Sequence, residues 1–424
     1  MHRIIAAALA ATSCVAAAQA QDIAPPAASR PTGPILTLDR AVALAGGSSP
    51  AGEAAQADIK AAQAARTVAG LRPNPSVAIQ VENIAGTGVY GGFDQAETMV
   101  GVSVPIELGG KRSARIASAD AQTGRATLMA AIAQADIRLQ VTQFYIEAVA
   151  AERRLATAQD QLRIARDAAH AARIRVLAGR ASPLEEQRAD VTRINAEAGV
   201  ERAERLVEVA RANLARRIGQ PLAGPLDMTV LDYLPASNDG GAGSMGSLGT
   251  LALAAADADL AVADAGVRLA RSQRVPDITV GPGVRRLEAT NDTAAVFSLS
   301  VPLPFFNSGR AAVDEAIAQR QRADAMRRMT ALDAEQAIEE AQAEAANAAT
   351  TARMASGPAL AAAQEAARIA RIGYREGKFG QLDLLDAERT LAETRLAAID
   401  ALTAYQNARA LLERLTAPAP AQGD

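Results

Sequence analysis

Cysteine, histidine and tryptophan are nearly absent from this chain of 424 residues. The sequence has one cysteine, two histidines and no tryptophan, and aromatic residues make up 3% of it. Cys14 and His2 both lie near its start, which leaves His170 as the one histidine of the remaining sequence. A zinc site or a Cys–His nucleophile pair needs more of these residues than the chain offers. We therefore predict that the protein is not an enzyme and holds no metal or cofactor.

Carboxylates do occur in pairs, at Glu185/Glu186 and at Asp383/Asp386. Acid–base catalysis would need such a pair in a cleft that perturbs its environment, whereas both pairs follow glycine-containing breaks between predicted helices. The net charge is −3, with acidic and basic residues interspersed along the chain. The basic stripe typical of a nucleic-acid-binding protein is missing, so we predict no nucleic-acid partner.

Long hydrophobic runs and bulky core residues are also scarce. Beyond the first twenty residues, no apolar run approaches the ~18 residues that a membrane-spanning helix requires. The chain is 49% hydrophobic, but alanine dominates this fraction, and small side chains let helices approach one another closely. This composition favours long, closely packed helices over a globular core.

The first twenty residues are typical of a secretory signal peptide. Arg3 supplies the basic start, an apolar stretch follows, and Ala18-Gln19-Ala20 forms a small-x-small cleavage site. Cleavage there would remove Cys14; lipid attachment at Cys14 and a buried N-terminal helix are the alternatives. An exported chain without a membrane-spanning helix is either soluble or crosses a membrane as β-strands.

The remaining sequence is a tandem duplication. Two breaks in the helical pattern match at one constant offset, Gly179 with Gly377 and Leu184 with Leu382. Each unit has short stretches of alternating hydrophobicity, which are typical either of membrane β-barrel strands or of a half-buried surface hairpin. Each unit then has an alanine-rich heptad pattern over ~65 residues, which as one helix would be about 100 Å long.

These patterns predict a mainly α-helical protein with a small β part. In chain order we predict a signal peptide (1–20), a disordered tail (21–36), a first repeat (37–218), an irregular linker (219–247), a second repeat (248–416) and a disordered tail (417–424). The first repeat contains a helix, a β-hairpin (75–108), a long helix (111–178), a tip turn (179–183) and a second helix (184–218). The second repeat has the same order, with a β-hairpin (276–304), a long helix (310–376), a tip turn (377–381) and a final helix (382–416).

Together these features resemble the TolC family of outer-membrane efflux channels. The most specific motifs are the two breaks, AGRASPLEEQRAD (178–190) and REGKFGQLDLLDAERT (375–390). The stretches LRPNPSVAIQVENIAG (71–86) and VPIELGGKRSAR (104–115) are similar to the heavy-metal branch of that family, typified by the CzcC channel of cobalt–zinc–cadmium efflux. The resemblance covers nearly all of the chain beyond the predicted signal peptide.

The resemblance implies a homotrimer in the outer membrane. Four strands per subunit form a shared 12-stranded β-barrel, and the long helices form a periplasmic coiled-coil tunnel. It further implies a tripartite system with a periplasmic adaptor and an inner-membrane RND pump, and divalent heavy-metal cations as substrates. The alternatives are a TolC-like channel for drug efflux or type I protein secretion, and a periplasmic helical scaffold or adaptor without a pore.

The resemblance also implies roles for residues at and near the two breaks. Asp383 and Asp386 are expected to form carboxylate rings that gate the pore and favour cations; the alternative is that Asp383 only caps the following helix. Phe305 and Phe306, where a strand returns to a helix, are candidate anchors at the interface with outer-membrane lipid. Candidate contacts with the adaptor are Gly179, Arg180, Ser182, Leu184, Glu185, Gly377, Lys378 and Leu382.

Overall fold

A computed structural model describes residues 33–234 and 248–420 of the chain. Within these ranges the chain is mostly helical, with eight α-helices and four β-strands. The predicted signal peptide and Cys14 lie outside the described residues, as does the second half of the predicted linker. No helix in the described part is both long and apolar enough to cross a lipid bilayer.

The helices fall into two sets, one for each repeat. The first set is α1 (Leu38–Ser48), α2 (Pro50–Ala69), α3 (Lys111–Leu177) and α4 (Pro183–Ile218). The second set is α5 (Leu251–Gln273), α6 (Arg310–Met354), α7 (Leu360–Arg375) and α8 (Gln381–Leu415). α3 packs along α4, α5 and α8, and α8 also packs along α6 and α7. The helix predicted before the first hairpin is two helices, because Pro50 lacks an N–H group and starts a new helix.

The largest hydrophobic core surrounds Tyr145, near the middle of α3. Tyr145 is fully buried and belongs to one cluster with Val141 and Leu214. Its hydroxyl donates a hydrogen bond to the Leu36 carbonyl at 2.7 Å and accepts one from the Asp227 N–H at 2.9 Å. Burial raises the pKa of Tyr145 to about 12, so the hydroxyl stays protonated and keeps its donor hydrogen. The core therefore ties the segments outside the repeats to the long helices.

The end of the predicted disordered tail 21–36 is ordered where the structure describes it. Leu36 forms a parallel bridge with Leu226 of the predicted irregular linker 219–247, and Leu226 and Leu231 of that linker are buried. The expectation of disorder was wrong at Leu36 because a Pro-rich composition indicates the absence of regular secondary structure, and does not exclude paired backbone groups.

The beginning of the predicted tail 417–424 is also ordered. Pro418 forms an antiparallel bridge with Thr250, and the N–H of Ala419 donates a hydrogen bond to the Gly249 carbonyl at 2.9 Å. The expectation of disorder was wrong here for the same reason, since backbone pairing needs no apolar side chains.

The long helix predicted over 310–376 is interrupted by one π-helical turn, Ala355–Ala359, which contains Pro358. Most buried positions on either side keep a heptad spacing, but those after the turn come one residue late. The positions that follow this spacing are Ile338, Ala341, Ala348 and Ala352 before the turn, and Ala363, Ala367 and Ala370 after it. A π turn accommodates one extra residue within a helix. It therefore absorbs the shift and keeps both α6 and α7 packed on α8.

In the described residues the strands form one antiparallel sheet in the order β1, β2, β3, β4. The strands are β1 (Ser76–Glu82), β2 (Glu97–Ile106), β3 (Ile278–Leu287) and β4 (Asp292–Ser300). The hairpins of the two repeats join through β2 and β3, where Val100 lies opposite Val284 and Val104 lies opposite Val280. The duplication therefore yields one continuous sheet.

Ion pairs attach the base of this sheet to the helices. Glu107 directly follows β2, and Arg115 of α3 binds both of its carboxylate oxygens, with an Nη2–Oε2 distance of 3.0 Å. Lys111 pairs with Asp277, which precedes β3, at an Nζ–Oδ1 distance of 2.7 Å. Asp277 also accepts a hydrogen bond from the N–H of Leu108 at 3.1 Å. These contacts join the two repeats where the strands meet the helices.

The Glu107–Arg115 pair predicts a pH dependence of stability. The hydrogen bond from Arg115 lowers the pKa of Glu107 below its ordinary value of 4.5. The pair's contribution is therefore fully present above that ordinary value and is lost as the pH falls through the lowered pKa. Glu107→Gln should reduce the free energy of unfolding at neutral pH by about 1–3 kcal/mol, and should remove part of the acid sensitivity. Urea unfolding followed by circular dichroism at neutral and acid pH measures both effects.

Glu393→Gln is the matched control for this experiment. Glu393 pairs with Arg389 on the surface of α8, where the two side chains are 62% and 75% exposed. Exposed pairs of this kind contribute about 0–1 kcal/mol. Equal losses in the two variants, or no loss in Glu107→Gln, would contradict the assignment.

Candidate functional site at the helical tip

The first helix reversal, between α3 and α4, turns at Gly179. This residue has a φ of +69°, a left-handed conformation that glycine adopts without strain. The N–H of Arg180 donates a hydrogen bond to the Arg175 carbonyl at 2.8 Å, and the N–H of Gly179 donates one to the Val176 carbonyl at 3.0 Å. These bonds satisfy carbonyls at the end of α3, as in a Schellman motif.

The start of α4 is capped by its own sequence. The side chain of Ser182 accepts a hydrogen bond from the N–H of Leu184 at 3.2 Å. Pro183 occupies the first helical position, where a missing N–H costs nothing. The sequence Gly-x-x-Ser-Pro therefore supplies both the end of α3 and the capped start of α4.

The second reversal, between α7 and α8, repeats this geometry at Gly377. Its φ is +74°, and the N–H of Lys378 donates a hydrogen bond to the Gly373 carbonyl at 2.8 Å. The ring of Phe379 packs on Gly373, where an added Cβ would lie only 2.1 Å from the ring. Sequence reasoning missed this contact, in which the absence of a side chain at Gly373 makes room for Phe379.

Asp383 caps α8. Its carboxylate accepts a hydrogen bond from the N–H of Gly380 at 2.9 Å, a bond typical of an acidic residue at the third position of a helix. The capping role expected as the alternative is therefore present in the structure. Asp383 and Asp386 both remain exposed, so the cap leaves their charges accessible.

The two turns lie side by side at one end of the molecule. The side-chain amide of Gln381 lies 3.5 Å from the Glu185 carbonyl, linking the starts of α8 and α4. The guanidinium of Arg175 lies 5.2 Å from the centre of the Tyr374 ring, a cation–π contact between the ends of α3 and α7. The structure therefore brings together the predicted residues of both turns.

The candidate contact residues at the two turns are largely solvent-accessible. Leu184 and Leu382 expose 55% and 63% of their surface. Lys378 is exposed but forms an ion pair with Glu376, with an Nζ–Oε2 distance of 2.6 Å. Glu185 is only partly exposed. The other exposed candidates are Gly179, Arg180, Ser182 and Gly377.

A partly buried ion pair supports the second turn. Arg371 of α7 binds Glu388 of α8 with an Nη2–Oε2 distance of 2.8 Å, and the Glu388 side chain is only 9% exposed. The hydrogen bond to Glu388 raises the pKa of Arg371. Sequence reasoning missed this pair. The available signal was the heptad seam, in which Glu388 lies between the buried Leu384 and Leu391 at a position usually apolar.

Phe305 and Phe306 lie far from the tip along the chain, where β4 leads into α6. They are 82% and 105% exposed, and the structure does not bring them to the two turns. No group of three or more His, Cys, Asp or Glu side chains in the described residues is arranged to hold a metal ion.

Comparison with known sequences identifies the family. The sequence profile described as outer membrane efflux protein matches residues 42–220 and 249–417, which include both helical reversals and the whole sheet. The chain belongs to this family. The family resemblance indicated by the two turns is confirmed, and membership places the protein in the outer membrane as an efflux protein, a class of channels and not of enzymes.

Individual relatives extend this result. The cobalt-zinc-cadmium resistance protein CzcC of Cupriavidus metallidurans is 30% identical over 383 residues, which cover 90% of each chain. The nickel and cobalt resistance protein CnrC of the same organism is 30% identical over 307 residues, or 71% of each chain. A crystal structure of CusC superposes with a TM-score of 0.73 at 18% identity and covers 89% of this chain and 91% of CusC. The CusC comparison shows that the fold is shared.

Proposed function

We propose that this chain is one subunit of a homotrimeric outer membrane channel, which conducts substrate passively out of a tripartite efflux system. In this assembly the long helices form a periplasmic tunnel, and three four-stranded sheets close into one 12-stranded barrel. The observation that carries the proposal is the distribution of side chains on the two faces of the sheet.

One face of the sheet is mostly apolar, and its apolar residues come from all four strands. Residues opposite each other in the register share a face, as Ile79 does with Val100, and Pro282 with Phe297. Ile79 and Phe297 are each 70% exposed. Its main apolar residues are Val77, Ile79, Val81, Val100, Val102, Val104, Val280, Pro282, Val284, Phe297 and Leu299, and Thr98, Arg286 and Thr293 lie on the same face near the hairpin turns. An exposed apolar surface of this kind marks an interaction site, and alternating strands with one apolar face suit contact with lipid.

The opposite face carries mainly small and polar residues, and Met99, Leu287 and Val296 are its large apolar ones. Gly101 lies opposite Gly283, and Arg285 pairs with Glu97 at an Nη1–Oε2 distance of 2.9 Å. Such a face suits a water-filled lumen. In the described residues the outer edges of β1 and β4 have no strand partner. Because unpaired backbone groups are excluded from lipid, strands of neighbouring copies complete the barrel.

At the tip, Asp383 and Asp386 line the narrowest part of the tunnel in this proposal. Asp383 uses Oδ2 for its capping hydrogen bond, which fixes the carboxylate without neutralising it. Three copies form rings of carboxylates, and such rings favour cations over anions. Capping and gating are therefore compatible roles of one side chain.

Changing the charge of these residues tests the channel and its gate. Asp383→Lys combined with Asp386→Lys should invert the cation preference of purified trimers, measured as the reversal potential across a planar bilayer in a salt gradient. Asp383→Asn combined with Asp386→Asn should weaken the preference without unfolding the tip, because asparagine keeps an oxygen that accepts the hydrogen bond from Gly380.

Glu204→Gln combined with Glu208→Gln, at exposed positions of α4, controls for loss of two carboxylates elsewhere and should leave the preference unchanged. Unaltered selectivity in the Lys pair would reject the gate. A soluble monomer without conductance after reconstitution would reject the channel itself.

We further propose that the two turns form the docking surface for the periplasmic adaptor. The proposal is supported by the exposed Leu184 and Leu382 beside two tight reversals, since exposed apolar side chains at a rigid tip need a partner to leave water. The surface comprises the candidate contact residues Gly179, Arg180, Ser182, Leu184, Glu185, Gly377, Lys378 and Leu382.

A charged residue at this surface should separate docking from assembly. Leu184→Asp should abolish crosslinking to the adaptor while trimers still form, because a buried unpaired carboxylate costs several kcal/mol in an interface. Leu206→Asp, at a position of α4 with the same 55% exposure, should crosslink normally. Normal crosslinking of Leu184→Asp would count against the docking surface.

The substrates we propose are divalent heavy-metal cations, delivered by an inner-membrane RND pump. Support comes from the relatives, since CzcC and CnrC are resistance proteins for cobalt, zinc, cadmium and nickel. The carboxylates at the tip agree with cation passage.

A strain that lacks this chain should become sensitive to cobalt, zinc or cadmium salts and recover when the chain is restored. Growth inhibition by graded metal and by hydrophobic drugs measures the substrate class. Sensitivity to drugs alone would favour the TolC-like drug channel over the metal channel.

A further inference from the structure

Large apolar side chains are exposed outside the strands, at the end of the sheet that meets the helices. In an antiparallel sheet, the starts of β1 and β3 and the ends of β2 and β4 lie at the same end of the sheet. Two groups of exposed apolar residues flank this end, one before β1 and one after β4. We name them together the basal collar, which consists of Val68 (66% exposed), Leu71 (60%), Leu303 (67%), Phe305 (82%) and Phe306 (105%).

Hydrogen bonds hold the end of α2 beside this end of the sheet. Arg115, which binds Glu107 at the end of β2, also donates a hydrogen bond to the Leu71 carbonyl at 3.2 Å. The segment after β4 is held at the same end of the sheet, because Arg274, just before β3, donates a hydrogen bond to the Ser308 carbonyl at 3.3 Å. Both groups of the collar therefore lie beside the base of the sheet.

The collar continues the apolar face of the sheet in sequence. After β4 the alternation Phe297, Leu299 runs on through Val301, Leu303 and Phe305. Before β1 it reaches back from Val77 through two prolines to Leu71. On α2, Ile59 is partly buried, and no large apolar residue of this helix is exposed before Val68. The apolar surface thus extends from the strands onto the last turn of a helix.

Two arginines beside the collar have no hydrogen-bond or ion-pair partner in the described part of the chain. They are Arg72, next to Leu71, and Arg310, at the start of α6, and both are exposed. Other arginines nearby are engaged, Arg112 with the Gly70 carbonyl and Arg66 with Asp120. Guanidinium groups match phosphate oxygens in geometry and charge. Apolar side chains next to unpartnered arginines are complementary to the acyl chains and phosphates of a phospholipid leaflet.

We propose that the basal collar inserts into the periplasmic leaflet of the outer membrane, with the end of α2 among the acyl chains and Arg72 and Arg310 at the phosphates. This inference rests on the proposed function, because it requires the sheet to lie in lipid. It extends membrane contact from the strands and the two phenylalanines to a helix that precedes the sheet.

Site-specific fluorescence tests the inference on the full chain. Cys14 is the only native cysteine, so a Cys14→Ser background accepts single labels. Leu71→Cys reports the collar, Ile79→Cys the apolar face of the sheet, and Leu177→Cys, at a position 79% exposed near the tip, the aqueous phase. Each variant carries an environment-sensitive fluorophore and is reconstituted in vesicles of phosphatidylethanolamine and phosphatidylglycerol. Quenching by doxyl-labelled lipid is compared with quenching by aqueous iodide.

We expect doxyl lipid to quench the labels at Leu71 and Ile79, and iodide to quench the label at Leu177. Arg72→Glu combined with Arg310→Glu should weaken lipid quenching at Leu71 and leave it unchanged at Ile79. Lipid quenching at Ile79 but not at Leu71 would overturn the collar proposal alone. Iodide quenching at Leu71 would then place the collar in water, and the absence of quenching at Leu71 by either reagent would show that another copy covers it. Lipid quenching at neither position would overturn the proposed function as well.

Discussion

Close packing of alanine limits how this chain holds itself together. Alanine seams let long helices approach, but each buried methyl group removes little apolar surface from water. The fold therefore also needs a core of bulky side chains. Most of the largest fully buried residues, among them Tyr145, Leu214 and Leu231, belong to one cluster around the middle of α3. Segments outside the repeats complete this cluster through Leu36 and Leu226. The long helices thus depend on a core to which residues outside the repeats contribute.

The two ends of the molecule lie beyond the reach of that core, and polar contacts fix them instead. At the sheet, Glu107 and Asp277 accept hydrogen bonds and ion pairs from α3 and the backbone beside it. At the tip, helix caps, a cation–π contact and the Arg371–Glu388 ion pair take this role. Because these contacts are directional, they hold geometry while leaving apolar side chains exposed. Both ends therefore combine fixed polar contacts with exposed apolar side chains, as the proposed contacts with lipid and with an adaptor require.

The sequence predicted features that depend on local rules and missed those that depend on tertiary contact. Both reversals were predictable because Gly179 and Gly377 interrupt a heptad pattern with residues that permit positive φ. The π turn at Ala355–Ala359 was hidden, since its cause is a one-residue shift between two seams that only packing on α8 reveals. The ordered parts of the tails were missed because backbone pairing, as between Pro418 and Thr250, leaves no hydrophobic pattern. The ion pair between Arg371 and Glu388 was missed for the same reason, because it depends on how α7 packs against α8.

In the proposed channel, the duplication accounts for a gate at the second turn and not at the first. Glu185 and Asp383 occupy equivalent positions at the repeat offset, as do Ser182 and Gly380. In the first turn the hydroxyl of Ser182 caps the helix, which leaves Glu185 without a capping task and partly buried. In the second turn glycine supplies no side chain, so Asp383 must cap the helix itself. That constraint holds an exposed carboxylate at a fixed place, and a fixed, solvent-facing charge is what an electrostatic filter requires. In the proposed channel, this difference at the cap, with the fold unchanged, therefore separates the roles of the two copies of the repeat.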